Sequence, residues 1–200
     1  MSEGFEEVLA PNLYFDRNFD LDAVKVLPGE YYVTGREMVL VTVLGSCIAA
    51  CVRDRLNGIG GLNHFMLPDT GGGVVSASMR YGDYAMEILI NQLLKMGARR
   101  NQLEAKIFGG GNVLPGFKTN TVGERNSRFI RDYLATENIP VAAEDLLDVW
   151  PRKVYFFPAT GKVLVKKLRK LNNSTIIERE IDYSRRLQES KVEGEIELFI

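Results

Sequence analysis

Two apolar runs separated by an Asn-Gly pair constrain this chain more than any other feature. Cys47 to Val52 and Ile59 to Leu67 flank the polar stretch Arg53-Asp54-Arg55-Leu56-Asn57-Gly58. Asn-Gly favours the tight turn of a hairpin, so the two runs are expected to be antiparallel strands. Met38 to Leu44 is short and β-branched and predicts a further strand, broken by Gly45-Ser46. Glu30 to Val33, Leu103 to Phe108 and Pro140 to Glu144 add strand candidates, and Val154 to Phe157 with Val163 to Leu168 reads as a hairpin.

Helical periodicity is clearest over Tyr84 to Met96, where Met86, Leu89, Ile90, Leu93 and Leu94 repeat and Gly97 stops the pattern. A second helix is expected from near Gly123 through Phe129, Ile130, Tyr133 and Leu134. Between strand and helix lies a small-residue loop from Gly71-Gly72-Gly73 to Ser78, of the kind that is mobile and borders sites. Strands alternating with two helices predict an α/β fold, an α+β sandwich with mixed, largely antiparallel sheets in a single domain. The expected boundaries are an irregular N-terminal lead-in over 1–27, a catalytic domain over 28–170 and a charged, weakly patterned C-terminal tail over 171–200.

Composition excludes several classes. The net charge of −1 and pI near 6.0 offer no basic surface for a phosphate backbone, so nucleic acid is not an expected partner. The acidic start Met1-Ser2-Glu3-Gly4-Phe5-Glu6-Glu7 lacks the apolar core of a secretory signal, and no apolar run is long enough to span a bilayer. Two cysteines do not build a disulfide scaffold, and a reducing cytoplasmic compartment is the simplest reading. Neither a phosphate-binding loop nor a dinucleotide fingerprint is present.

The residues able to carry chemistry are few. In Leu44-Gly45-Ser46-Cys47, a glycine lets the chain turn so that the following cysteine can face a pocket. A thiolate is a good nucleophile where backbone N–H groups converge or a histidine lies nearby. The alternative is that Cys47 and Cys51 are small apolar core residues. His64 is the one histidine, so any Cys–His pair must use it. If Leu56 faces Ile59, Cys47 faces Pro68; if Asp54 faces Ile59, Cys47 faces Met66. In both registers Cys47 and His64 share a sheet face, offset by roughly 7–13 Å along a straight strand. A bulge, twist or rotated end must close that gap. Otherwise His64 is a satisfied histidine in an apolar strand. Zinc held by Cys47, Cys51 and His64 lacks a fourth ligand, and no metal or other cofactor is expected. Gly109-Gly110-Gly111-Asn112 could hold an oxyanion, or be a turn after a strand.

These segments resemble the CheD family of chemoreceptor glutamine deamidases. The likeness rests on Val41-Thr42-Val43-Leu44-Gly45-Ser46-Cys47 followed by Gly60-Gly61-Leu62-Asn63-His64-Phe65-Met66-Leu67-Pro68. It continues through Arg80-Tyr81-Gly82-Asp83-Tyr84, Glu104 to Gly111, Val122-Gly123-Glu124-Arg125-Asn126 and Ala143-Glu144-Asp145, covering about 28–168. The resemblance implies a cysteine amidohydrolase, with Cys47 as nucleophile and His64 as base. A family threonine ahead of the cysteine is a third group; one strict count lands on Val41, and the adjacent Thr42 is taken as that group. Backbone N–H groups around Gly45 and Ser46 would be the oxyanion donors. Leu146 to Pro151 departs from the family, which often has glycines before its Arg-Lys pair.

The same resemblance implies the substrate, helical segments of methyl-accepting chemotaxis receptors, whose glutamines become glutamates in chemotaxis signalling. A CheC-type phosphatase is a further possible partner, and membrane contact would come only through the receptors. Two rivals remain: a non-catalytic docking module for receptors or phosphatase, and a redox-sensing pair Cys47–Cys51.

Overall fold

The computed structural model describes residues 8–68, 75–113, 121–169 and 174–189. Two sheets carry the fold. The first has six strands in the order β1 (Val8–Leu9), β4 (Glu30–Thr34), β7 (Gly60–Phe65), β6 (Ile48–Asp54), β8 (Leu103–Gly109) and β9 (Val141–Leu146). The second has five, β11 (Lys162–Lys167), β10 (Arg152–Phe157), β5 (Val39–Leu44), β3 (Leu21–Lys25) and β2 (Asn12–Asp16). The β1–β4, β3–β5 and β8–β9 pairs are parallel and the rest antiparallel, the mixed sandwich expected.

Helices α1 (Val75–Lys95) and α2 (Val122–Thr136) pack on the six-stranded sheet, α1 chiefly on β7 and β4 and α2 on β6 and β8. The other face of β6 and β7 meets β5 of the second sheet. This explains the unbroken apolar run Ile48-Ala49-Ala50-Cys51-Val52: both faces of β6 are covered, so alternation disappears. Each large apolar side chain buried in this way contributes about 1.5–3 kcal/mol. On the outer face of the second sheet, Val39 and Val41 form a separate small cluster with Ala23 under Phe19, Tyr155 and Phe157.

The hairpin forms with Gly58 at φ +67°, in the register that sets Asp54 against Ile59. Ala49 pairs with His64 and Ile48 with Phe65, so Cys47, one residue ahead of β6, lies toward Met66. α2 begins as its sequence suggests. Thr121 caps the helix and Glu124 reaches back to the Thr121 N–H, completing a capping box.

Three segments differ from the sequence reading. The stretch read as an irregular lead-in contains β2 and β3. β2 is exposed at its first four positions, so an edge strand there shows no hydrophobic alternation. α1 starts nine residues before Tyr84, because its first turn of small residues carries little periodic signal. Part of the glycine-rich loop, Gly71-Gly72-Gly73, lies outside the described residues. Finally, Ser174–Glu189, within the charged stretch, forms a third helix, α3, that buries Glu180, Tyr183 and Leu187.

Candidate active site

Cys47 sits where the chain leaves one sheet for the other. β5 ends at Leu44, Gly45-Ser46-Cys47 makes the turn, and β6 begins at Ile48. The turn is held from behind by the glycine run after β8. Gly110 N–H donates to the Cys47 carbonyl and Gly111 N–H to the Gly45 carbonyl, both at 2.8 Å. With Asn112 N–H given to the Asp148 carbonyl, these three donors of the run are spent on structure. Gly109 must be glycine here: its φ is +115°, and a Cβ would lie 2.0 Å from the Cys47 carbonyl oxygen.

Carbonyls fixed on one side leave the N–H groups facing the other. Those of Gly45, Ser46 and Cys47 converge on the Glu180 carboxylate at 2.9, 2.9 and 3.1 Å, joined by the Ser46 hydroxyl at 2.7 Å. The Cys47 thiol lies in the field of the same carboxylate. A Cβ on Gly45 would fall 2.8 Å from each carboxylate oxygen, so the missing side chain makes the seat. Fixed N–H groups of this kind stabilise negative oxygen without reorganising.

His64 is reached across the sandwich. Asn63 turns toward α1, donating to the Ala85 carbonyl, while His64, on the opposite face of β7, meets β5. Thr42 Oγ1 lies 2.8 Å from His64 Nδ1 and donates to the Val26 carbonyl at 2.7 Å. A hydroxyl has one proton. Since Thr42 gives it to Val26, His64 Nδ1 carries the shared proton and Nε2 keeps its lone pair. Val41 points to the outer cluster, so Thr42 is the residue placed beside the imidazole.

His64 Nε2 is buried and has no hydrogen-bond partner among the described residues. Leaving such an acceptor unpaired costs about 1–3 kcal/mol, a cost that a basic site must meet. Burial holds the imidazole pKa down to about 3 against a raising contact with the Val26 carbonyl. Burial first, and then the neighbouring Glu180 carboxylate, push the Cys47 thiol well above its ordinary range. The thiol and the imidazole are therefore both neutral at rest, and no hydrogen bond from Cys47 reaches His64 Nε2. Cys51 is two positions beyond Ala49 on the same face, buried in apolar surroundings that also raise its thiol. Among the described residues no three His, Cys, Asp or Glu side chains gather to hold a metal.

Asn126 of α2 links the turn to the end of the hairpin. Its Oδ1 accepts from Leu67 N–H at 3.0 Å and its Nδ2 donates to the Ser46 carbonyl at 2.9 Å. Its place in the family-like Val122 to Asn126 segment was visible in the sequence; its bridging role was not.

Comparison with known proteins identifies the family. A family model described as CheD chemotactic sensory transduction matches residues 66–167. A probable chemoreceptor glutamine deamidase CheD of Thiobacillus denitrificans is 66% identical over 202 residues, covering 100% of both chains. The chain belongs to the CheD family. Similarly described CheD proteins of a Janthinobacterium species and of Methylobacillus flagellatus are 64% and 61% identical, again over 100% of both chains. The matched part of the CheD model begins two residues after His64, whereas these full-length CheD relatives span the Cys47 turn and α3 as well. Between β9 and β10, Leu147 and Asp148 adopt φ of +67° and +73°. Glycine would enter that region without strain. A solved structure, the hypothetical protein YfiH of Bacillus licheniformis, aligns over 73% of this chain and 64% of its own at 16% identity, with a TM-score of 0.32.

Proposed function

We propose that this protein is a cysteine amidohydrolase that converts glutamine side chains of methyl-accepting chemoreceptors to glutamate. The observation that carries the reading is the set of N–H groups of Gly45, Ser46 and Cys47 converging on a carboxylate beside the Cys47 thiol. A carboxylate is the product of glutamine deamidation, and the same donors suit the oxyanion of the tetrahedral intermediate.

Cys47 is the nucleophile and His64 Nε2 the base. Thr42 orients the imidazole by accepting from Nδ1–H. His64 takes the thiol proton as sulfur attacks the carboxamide carbon, then returns it to the departing ammonia. Water cleaves the thioester and restores the thiol. Gly45 supplies both an N–H group and the space above it, and Ser46 an N–H group and a hydroxyl. The chemistry requires no metal or cofactor.

Receptors are the protein partners and substrates, and a CheC-type phosphatase is a second partner. The protein works in the cytoplasm and meets the membrane only through receptors. Among the described residues no helix is long and apolar enough to cross a membrane. One observation favours the docking-module alternative: Cys47 is fully buried and the N–H groups of its turn are already occupied. Mass spectrometry of a receptor cytoplasmic fragment separates the two. Glutamine-to-glutamate conversion by the intact protein but not by Cys47→Ala supports the enzyme. Binding without conversion by either supports the module.

A further inference from the structure

Glu180 is the buried glutamate of the described residues, and a carboxylate is costly to bury without full hydrogen bonding. Its partners come from the Cys47 turn, more than a hundred residues away in sequence. The helix that presents it is anchored on both sides. Tyr183 lies one turn beyond, its hydroxyl bonded to that of Tyr81 on α1 and its ring against Gly29, where a Cβ would approach Cε2 to 3.1 Å. Leu187 is buried another turn on. Ile176, one turn before, lines a small cavity with Val26, Val43 and His64. The inward positions 176, 180, 183 and 187 follow helical spacing, with a glutamate where an apolar residue would ordinarily sit.

We propose that α3 is a tethered product mimic: it fills the groove in which a glutamine-bearing helix of the substrate docks, and Glu180 occupies the seat of the product carboxylate. This rests on the deamidase reading and gives it a docking surface. The side chain of glutamate is that of glutamine with the amide replaced by carboxylate, and here it reaches the thiol from a helix. The substrate helix would displace α3 and carry bulky apolar residues four positions before, and three and seven after, the target glutamine. With α3 seated, burial and the carboxylate keep the thiol protonated. The free enzyme is therefore held back until α3 leaves.

Two experiments on the full chain test this. In E180Q the amide is delivered in cis. Cys47 sulfur bonds to the amide carbon, the C–N bond breaks, ammonia leaves with the proton from His64, and water cleaves the thioester to thiol and carboxylate. Peptide mapping is expected to find position 180 converted to glutamate, and unconverted in the C47A/E180Q double variant. An amide that persists at 180 in a preparation that deamidates a receptor fragment overturns the proposal. Independently, iodoacetamide should alkylate Cys47 about ten- to a hundredfold faster in E180A than in wild type, as expected if the open state is a minor population. Unchanged slow labelling of buried Cys51 reports an intact fold. Equal Cys47 rates overturn the proposal whatever the activity. Faster labelling of Cys47 with no turnover of either amide instead rejects the deamidase reading, and the mimic with it.

Discussion

Thr42 Oγ1 and His64 Nδ1 lie 2.8 Å apart, one on each sheet of the sandwich. The bond fixes the imidazole tautomer, because the Thr42 proton is committed to Val26. Thr42→Val keeps the shape but leaves Nδ1–H buried without its acceptor. The expected result is a fall in kcat of about 10- to 100-fold with KM little changed, and rescue by Thr42→Ser. A matching drop in KM and kcat, or no rescue, would contradict an orienting role. Chemical denaturation should show a loss of about 1–3 kcal/mol in the valine variant.

Gly45→Ala tests the carboxylate seat. The new methyl would meet the Glu180 oxygens at 2.8 Å and Val113 Cγ2 at 2.7 Å. Activity on a receptor fragment should fall about 100-fold or more, comparable to loss of an oxyanion donor. In the same variant α3 should be loosened, read as faster proteolysis near its ends. Full activity would show that the seat is not used.

Asn126→Ala removes both hydrogen bonds that tie the Cys47 turn to the end of β7. The Leu67 N–H and Ser46 carbonyl are then left without this partner in a buried setting. A stability loss of about 2 kcal/mol is expected in urea melts. Asn126→Asp, which keeps the acceptor but sets a carboxylate toward the Ser46 carbonyl, should be worse than alanine.

The buried imidazole makes stability fall with acid. His64 has its pKa lowered to about 3 in the folded state against 6.5 for the free group. Between these values the unfolded chain binds a proton that the folded chain refuses. Stability therefore rises with pH through this window and is lost as pH falls below about 6.5. From pH 7 to 5 His64 should account for about 2 kcal/mol of that loss. His64→Gln should flatten the corresponding part of the profile in urea melts; an unchanged slope would sink the assignment.

The sequence by itself determined what local geometry can carry. Asn57-Gly58 set the hairpin, and period-two alternation placed Cys47 and His64 on one face in either register. The Leu44 to Cys47 and His64 to Pro68 motifs, with the order of the other segments, were enough to suggest the CheD family. Only the tertiary structure decided which register forms, that Thr42 rather than Val41 meets His64, and that Asn126 clamps the turn. It also set the Gly110 and Gly111 N–H groups as a brace behind the Cys47 turn. Glu180 left no signal at all, because a glutamate in a charged helix looks solvated until its partners are known. Alternation and turn chemistry are properties of neighbouring residues, whereas these contacts join the two sheets, α2 and α3 across long stretches of chain, and packing alone brings them together.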